Sequence, residues 1–371
     1  MSLRTTAPFR ADHVGSFLRP KFLLDAREQR AKGEITAEQL RRVEDQAITE
    51  IVKFQEDVGL QSITDGEFRR TYFHIDFLEQ LDGVKTDIPV TIVKPDGSEE
   101  LAPPVMRVTG KVAHKKDIQR ADFEYLKSQV GADRTPKVTI PSPTMLHFRG
   151  GRAGISKEHY PELDPAFYDD VANAYGDELR SLAAVGCTYV QMDDTNLAYL
   201  CDDKMREAAR QRGDDPNELP HRYAWFINKV VAQKPPGMTL AMHLCRGNFK
   251  STHAAAGNYE PVAEALLAEM KLDAYFMEYD DERSGDFRPL RFLPKGKTVV
   301  LGLVTTKFGT LESKDALKRR IDEASKYAPL DQLCLSPQCG FSSTVHGNNI
   351  AVQAQRDKLR LVVEVAQEVW G

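Results

Sequence analysis

Cysteine is scarce: five among 371 residues, an odd number, which rules out a disulfide framework in so long a chain. A basic excess is also missing. Fifty Lys and Arg stand against 55 Asp and Glu, giving a formal charge of −5 with both signs interspersed, and that balance argues against a dedicated nucleic-acid binder. No apolar run approaches the ~18 residues needed to span a bilayer. The start, MSLRTTAPFR, lacks the apolar stretch of a secretory signal. Low-complexity tracts, heptads and short repeats are absent. The expectation is a cytoplasmic protein with reduced thiols, acting on small molecules and not on nucleic acid or membrane.

Several catalytic signatures are missing as well. Gly296-Lys297-Thr298 resembles a phosphate loop, but Arg291 stands where the earlier glycine is needed. RGGRAG at 149–154 has no strand-to-helix context for a dinucleotide. There is no His-Glu-x-x-His helix and no nucleophile elbow.

What is present is enough apolar residue, 41%, for a substantial core. The length fits two ordinary domains or one large α/β barrel, since barrels commonly run to ~250 residues and beyond. An amphipathic helix, a Gly or Asp stop and a short β-branched run recur. In residues 36–64, Thr36 and Gln39 make a capping box. Leu40, Val43, Ala47, Ile51 and Val58 follow at helical spacing, and Gly59 stops the helix before LQSIT. In residues 164–193, Asp164 is expected to cap, with Pro165 at the first helical position and Gly186 at the end, before CTYVQMDD.

Eight strands are expected, near 11–16, 60–65, 137–141, 187–193, 238–243, 274–278, 298–303 and 332–335. Alternating with helices, they predict a parallel sheet and a single (β/α)8 TIM barrel, one catalytic domain over 1–371. A doubly wound open sheet is the alternative, but it more often carries a Gly-rich turn after its first strand. Residues 84–114 break the alternation with two β-rich runs around Pro95-Asp96-Gly97, a turn signal. They read as a β-hairpin excursion from the barrel, either a lid or a surface ornament.

The stretch MTLAMHLCRGN places His243 and Cys245 two apart at a strand end, on the same face. Both are zinc-type ligands. Glu278 ends the next strand and Cys339 lies just past the last one. One His, two Cys and one Glu would then converge at the strand C-termini, the functional rim of a barrel. The competing reading makes the cysteines buried small hydrophobes and Glu278 a surface charge. Cys187, Cys201 and Cys334 take that bland reading. Ser16, Asp65, Glu67, Asp193 and Asp194 sit at other strand ends, where they either bind a cation or cap helices. Binding is favoured for Glu67 and Asp193, and the two roles stand level for Asp194. His346 is a loop histidine near Cys339.

DHVGSF, TDGEFRR, QMDD, HLCRGN, MEYD and SPQCGF, in this order, resemble the motifs of cobalamin-independent methionine synthase, in its C-terminal catalytic half. The resemblance covers nearly the whole chain and is closest to the short, single-barrel relatives. It implies Zn²⁺ held by His243, Cys245, Glu278 and Cys339, and homocysteine contacted at its amino-acid end by Ser16, Glu67 and Asp193. Three departures accompany it. Phe148 stands where a Trp would stack on the pterin, Lys307 replaces a histidine thought to act as an acid, and the amino-terminal barrel is absent.

A free thiol has a pKa of ~8.5 and is mostly protonated at pH 7. Zinc would deprotonate it, and Glu67 and Asp193 would select an amino-acid thiol by its ammonium. Lys307 either assists the leaving group or is a solvated rim lysine. The leading expectation is methyl transfer from a folate-type or other donor to homocysteine, in a possible homo-oligomer. Alternatives are alkyl transfer to another thiol such as coenzyme M, a metal-free lyase of the uroporphyrinogen decarboxylase type, and a non-catalytic zinc-stabilised binding protein.

Overall fold

Period-two alternation decides which side chains of this chain face one another. The computed structural model describes residues 4–86, 91–93, 99–101, 106–247, 251, 254–342 and 347–371. Its strands in chain order are β1 (Ser62–Ile63), β2 (Asp82–Thr86), β3 (Thr91–Val93), β4 (Glu99–Leu101), β5 (Met106–Ala113), β6 (Thr135–Pro136) and β7 (Val138–Pro141). They continue with β8 (Tyr189–Asp194), β9 (Thr239–Leu244), β10 (Ala274–Glu278), β11 (Thr298–Val304) and β12 (Leu333–Pro337). Six form one parallel sheet in the order β12-β11-β10-β9-β8-β7, and β1 pairs with β6 in parallel. Lys137 alone separates β6 from β7, so the two sheets adjoin along one stretch of chain.

The result is an α/β fold with parallel sheets, TIM-barrel-like in the succession of its strands. Among the described residues the ladders do not form a continuous eight-stranded ring. The expected first strand, 11–16, shows only a bridge from Ala11 to Leu335 of β12, with Asp12 N donating to Leu335 O at 3.0 Å. Side chains serve this edge instead. Asp12 is fully buried and accepts from His13 N (2.8 Å), Ser62 Oγ (2.8 Å), Tyr189 OH (2.9 Å) and Lys137 Nζ (3.2 Å). Lys137 also donates to His13 O at 2.5 Å and lies 4.3 Å from the Phe276 ring centre. A buried ion pair thus ties residues 12–13 to β1, the β6–β7 stretch and β8.

Inside the parallel array, Val14, Tyr189, Ala241, Ala274, Phe276, Val300 and Cys334 form one cluster. The alternate residues, such as Val190, Tyr275, Met277 and Leu301, pack outward under the helices. In register, Asp193 lies beside His243, and His243 beside Phe276. Two residues further along the inward rows come Cys245 on one strand and Glu278 on the next. Sheet geometry therefore delivers these polar side chains to one end of the array.

The helix Ala37–Asp57 carries the capping box: Thr36 Oγ1 accepts from Gln39 N and Gln39 Oε1 accepts from Thr36 N. Its buried face includes Ala47, Ile48, Ile51 and Val52, while Leu40 and Val43 are only half-buried. Asp164 does not cap the helix Ala166–Ala184; Pro165 occupies the cap position with no side-chain bond. In the 84–114 region, β2 pairs antiparallel with β5 and β3 with β4. The turn expected at Pro95-Asp96-Gly97 lies outside the described residues. β5 packs against the helix Ala166–Ala184, and Val112 N donates to Tyr160 OH at 2.8 Å.

Candidate metal centre and substrate cavity

His243, Cys245, Glu278 and Cys339 meet. Their four ligand atoms lie within 4.8 Å of one another, and all four residues are buried. The two sulfurs are 3.6 Å apart, and His243 Nε2 lies 3.7 Å from Glu278 Oε1. A tetrahedral zinc at ~2.3 Å from sulfur and ~2.0–2.1 Å from nitrogen or oxygen sets ligand atoms about 3.3–3.8 Å apart. The donor set and these two distances therefore fit such an ion. Position 245 gains its place from the stretched backbone after β9, where Cys245 N donates to Asp194 O at 2.7 Å.

The surrounding groups hold these side chains in working orientation. His243 Nδ1 faces Asp193 Oδ1 at 3.5 Å, which turns Nε2 toward the cluster, as a carboxylate–histidine pair does at metal sites. Gln191 Nε2 donates to Asp193 Oδ1 at 2.7 Å and also to Val14 O. Arg246 N donates to Glu278 Oε1 at 3.1 Å.

Electrostatics show a site crowded with acids. Burial disfavours the His243 imidazolium, yet Asp193 and Glu278 outweigh it and raise its pKa to about 10. The hydrogen bond to Cys339, then burial, pushes the Cys245 thiol well above its ordinary range. For Glu278 burial acts upward but is outweighed by His243 and Lys307, and its pKa lies below the usual carboxylate value. Only a divalent cation among them would let both thiols and the carboxylate ionise together in so buried a place.

Beside the cluster is a small cavity of about 30 Å³, lined by Val14, Ser16, Glu67, Phe73, Asp193, His243, Cys245 and Cys339. The three residues expected at the amino-acid end thus share one chamber with three of the four expected ligands. Glu67 reaches it from a strained backbone, φ +60°, a conformation that costs a non-glycine residue of order 1 kcal/mol or more. Gly66 before it also has φ +70°, with the Phe68 ring packed beneath.

Phe148 and Lys307 are not in this lining. Phe148 is buried against Tyr199 and Tyr223, with the Arg212 guanidinium 5.1 Å from its ring centre. Lys307 is not a solvated rim lysine either: it is buried, its Nζ 2.9 Å from Asp280 Oδ2. Asp194 takes the capping role, accepting from Leu197 N at 2.8 Å and from Thr144 Oγ1 at 2.6 Å. Cys187, Cys201 and Cys334 are buried away from the cluster, and His346 lies outside the described residues.

Phe73, Val14, Tyr199 and Arg70 were not anticipated. Tyr199 OH lies against Gly247, two residues past Cys245, and burial first, then Cys245, raises its pKa to about 12. Arg70 follows Glu67 by three residues in TDGEFRR, a spacing that signals a local ion pair. Phe73 carries no such mark.

Comparison with known proteins decides the family. The model of the cobalamin-independent synthase catalytic domain matches residues 9–368. The chain belongs to the cobalamin-independent methionine synthase family. Within it, the chain is 47% identical over 365 residues to the uncharacterized protein YxjH of Bacillus subtilis, covering 98% of this chain and 95% of that one. A crystal structure of a Listeria monocytogenes protein is 40% identical, with a TM-score of 0.78 and 99% of each chain covered. A B12-independent methionine synthase from Shewanella sp. W3-18-1, in complex with selenomethionine, shares the fold at 19% identity, with a TM-score of 0.72 and 97% of each chain covered. Family membership agrees with the absence, among the described residues, of any helix long and apolar enough to cross a membrane.

Proposed function

We propose that this chain is a zinc-dependent methyltransferase that moves a methyl group to the thiol of homocysteine, giving methionine. The observation that carries the reading is the His-Cys-Glu-Cys donor set, three of whose members share one cavity with Ser16, Glu67 and Asp193. His243, Cys245, Glu278 and Cys339 would hold the zinc. When bound, the ion supplies Lewis acidity that lets a substrate thiol lose its proton at neutral pH.

The chain's own residues do the rest. Asp193 sets the His243 ring and shares with Glu67 the task of receiving the substrate ammonium. Ser16 lies at the same end, on the stretch tied down through Asp12. Glu278, the hardest of the four donors and so the poorest match to zinc, would be its weakest-held ligand, and the two cysteine sulfurs would leave the ion electron-rich enough for a substrate thiol to stay nucleophilic. Burial of the lining excludes water, and the reaction then depends chiefly on alignment of sulfur and methyl carbon. Lys307, held by Asp280, acts on this site through its charge near Glu278 and not by touching substrate. Phe148 contributes through the aromatic packing that carries Tyr199. We read the parallel strands as one (β/α)8 barrel forming a single catalytic domain.

The test is zinc-edge absorption on the zinc-loaded protein, with and without L-homocysteine. Exchange of an oxygen neighbour for sulfur on adding the thiol is the expected result. An edge unchanged by homocysteine refutes the reading, as does a chain that retains no zinc.

A further inference from the structure

Glu67 does not stand alone in the wall of the cavity. Its backbone N–H donates to Asp65 Oδ1 at 2.8 Å, and Arg19 Nη2 donates to the carbonyls of Glu67 and Arg70, both at 2.9 Å. Phe17 N donates to Gly66 O at 3.2 Å and Arg70 N to Glu67 O at 3.2 Å. These bonds hold two consecutive left-handed residues, Gly66 and Glu67, in place. The carboxylate is fixed as firmly. Thr139 Oγ1 donates to Oε1 at 2.9 Å, and Arg70 Nη1 lies 3.6 Å from Oε2. Arg70 Nη2 donates to Thr139 O, which closes a ring of Glu67, Arg70 and Thr139. Arg70 Nη1 is buried and has no hydrogen-bond partner. It is not among the residues lining the cavity, so it stands behind the carboxylate it faces.

We propose that Arg70 is a positioning residue for the substrate's ammonium group: from behind, and together with Thr139, it holds the Glu67 carboxylate facing the cavity. The inference rests on the amino-acid-thiol reading of the cavity given above. Two buried carboxylates, Glu67 and Asp193, share the chamber. Both face the end of the cavity expected to take the substrate's amino group. Arg70 on Oε2 and Thr139 on Oε1 fix the plane of the Glu67 carboxylate, so its remaining lone pairs keep one direction into the cavity. An ammonium group donates to acceptors held in that way, whereas a sulfonate, which can only accept, finds two carboxylates there.

Calorimetric titration of the zinc-loaded protein with L-homocysteine, its deaminated analogue 4-mercaptobutanoate and coenzyme M tests this. The wild type is expected to bind homocysteine roughly 10- to 100-fold more tightly than the analogue, the range for hydrogen bonds to charged groups, and to bind coenzyme M more weakly still. In Arg70→Gln the preference for homocysteine falls to within about threefold while zinc content is unchanged; Arg70→Lys restores most of it. Thr139→Val, which removes one tether of the Glu67 carboxylate, reduces the preference part-way and serves if Arg70→Gln does not fold. A preference unchanged in Arg70→Gln and Thr139→Val overturns the role of Arg70 and leaves the homocysteine reading standing. A zinc-loaded wild type with no preference for homocysteine overturns both.

Discussion

Lys137→Met removes the cation from the buried pair that holds residues 12–13 to the rest of the barrel-like array. Both side chains are fully buried. Removing one partner of such a pair costs about 3–5 kcal/mol, because the other charge stays buried without its counter-ion. Asp12 keeps its bonds from His13 N, Ser62 Oγ and Tyr189 OH, which places the carboxylate's share at the low end. Lys137 also donates to His13 O at 2.5 Å, and an orphaned buried carbonyl adds about 1 kcal/mol or more. A total near 4 kcal/mol follows. For 371 residues, an unfolding entropy of ~2.1 cal/mol/K per residue is about 0.8 kcal/mol/K, so the melting temperature drops by about 5 °C. Differential scanning calorimetry reads this directly. Asp12→Asn with Lys137→Met leaves no unpaired charge and should cost less than the two single changes added together. A fall under about 1 °C for Lys137→Met, or strict additivity in the double variant, would refute the idea that this pair substitutes for a missing strand ladder.

The remaining predictions concern the site and its surroundings. Cys339→Ser should lower retained zinc from about one per chain to a small fraction after desalting, measured by elemental mass spectrometry; full retention removes Cys339 from the donor set. His13 is buried neutral, its pKa depressed to about 4 by burial first and then by Lys137. The unfolded chain therefore binds a proton that the folded chain refuses between pH 6.5 and 4, and stability falls on acidification by up to about 3 kcal/mol. Denaturant titrations at pH 7 and 4.5 should show a smaller loss in His13→Gln than in the wild type. Lys307→Met leaves Asp280 with Arg283 at 3.3 Å as a remaining partner, so it should lower stability by only about 1–3 kcal/mol. Its zinc content should stay that of the wild type, and loss of the metal would show that Lys307 is needed to hold Glu278.

Much of this molecule is legible in the chain because its information is local. The Thr36–Gln39 box, the Gly59 and Gly186 stops and the strands near 187–193, 238–243, 274–278 and 332–335 follow from propensity and spacing, to within two residues at their C-terminal ends. His243 and Cys245 declare a shared face because alternation in a strand has a period of two. Tertiary structure alone decided the rest. Asp164 does not cap its helix because Pro165 takes that position. The stretch 11–16 has a bridge in place of a ladder, and a buried ion pair to Lys137, between β6 and β7, ties it down; no local pattern foretells that partner. Lys307 is buried because Asp280 stands opposite, and Phe148 is drawn into an aromatic cluster with Tyr199 and Tyr223. Sequence periodicity names the residues a strand end can offer; only packing across the sheet settles which of them face one chamber, which are paired away, and which, like Arg70, work from behind.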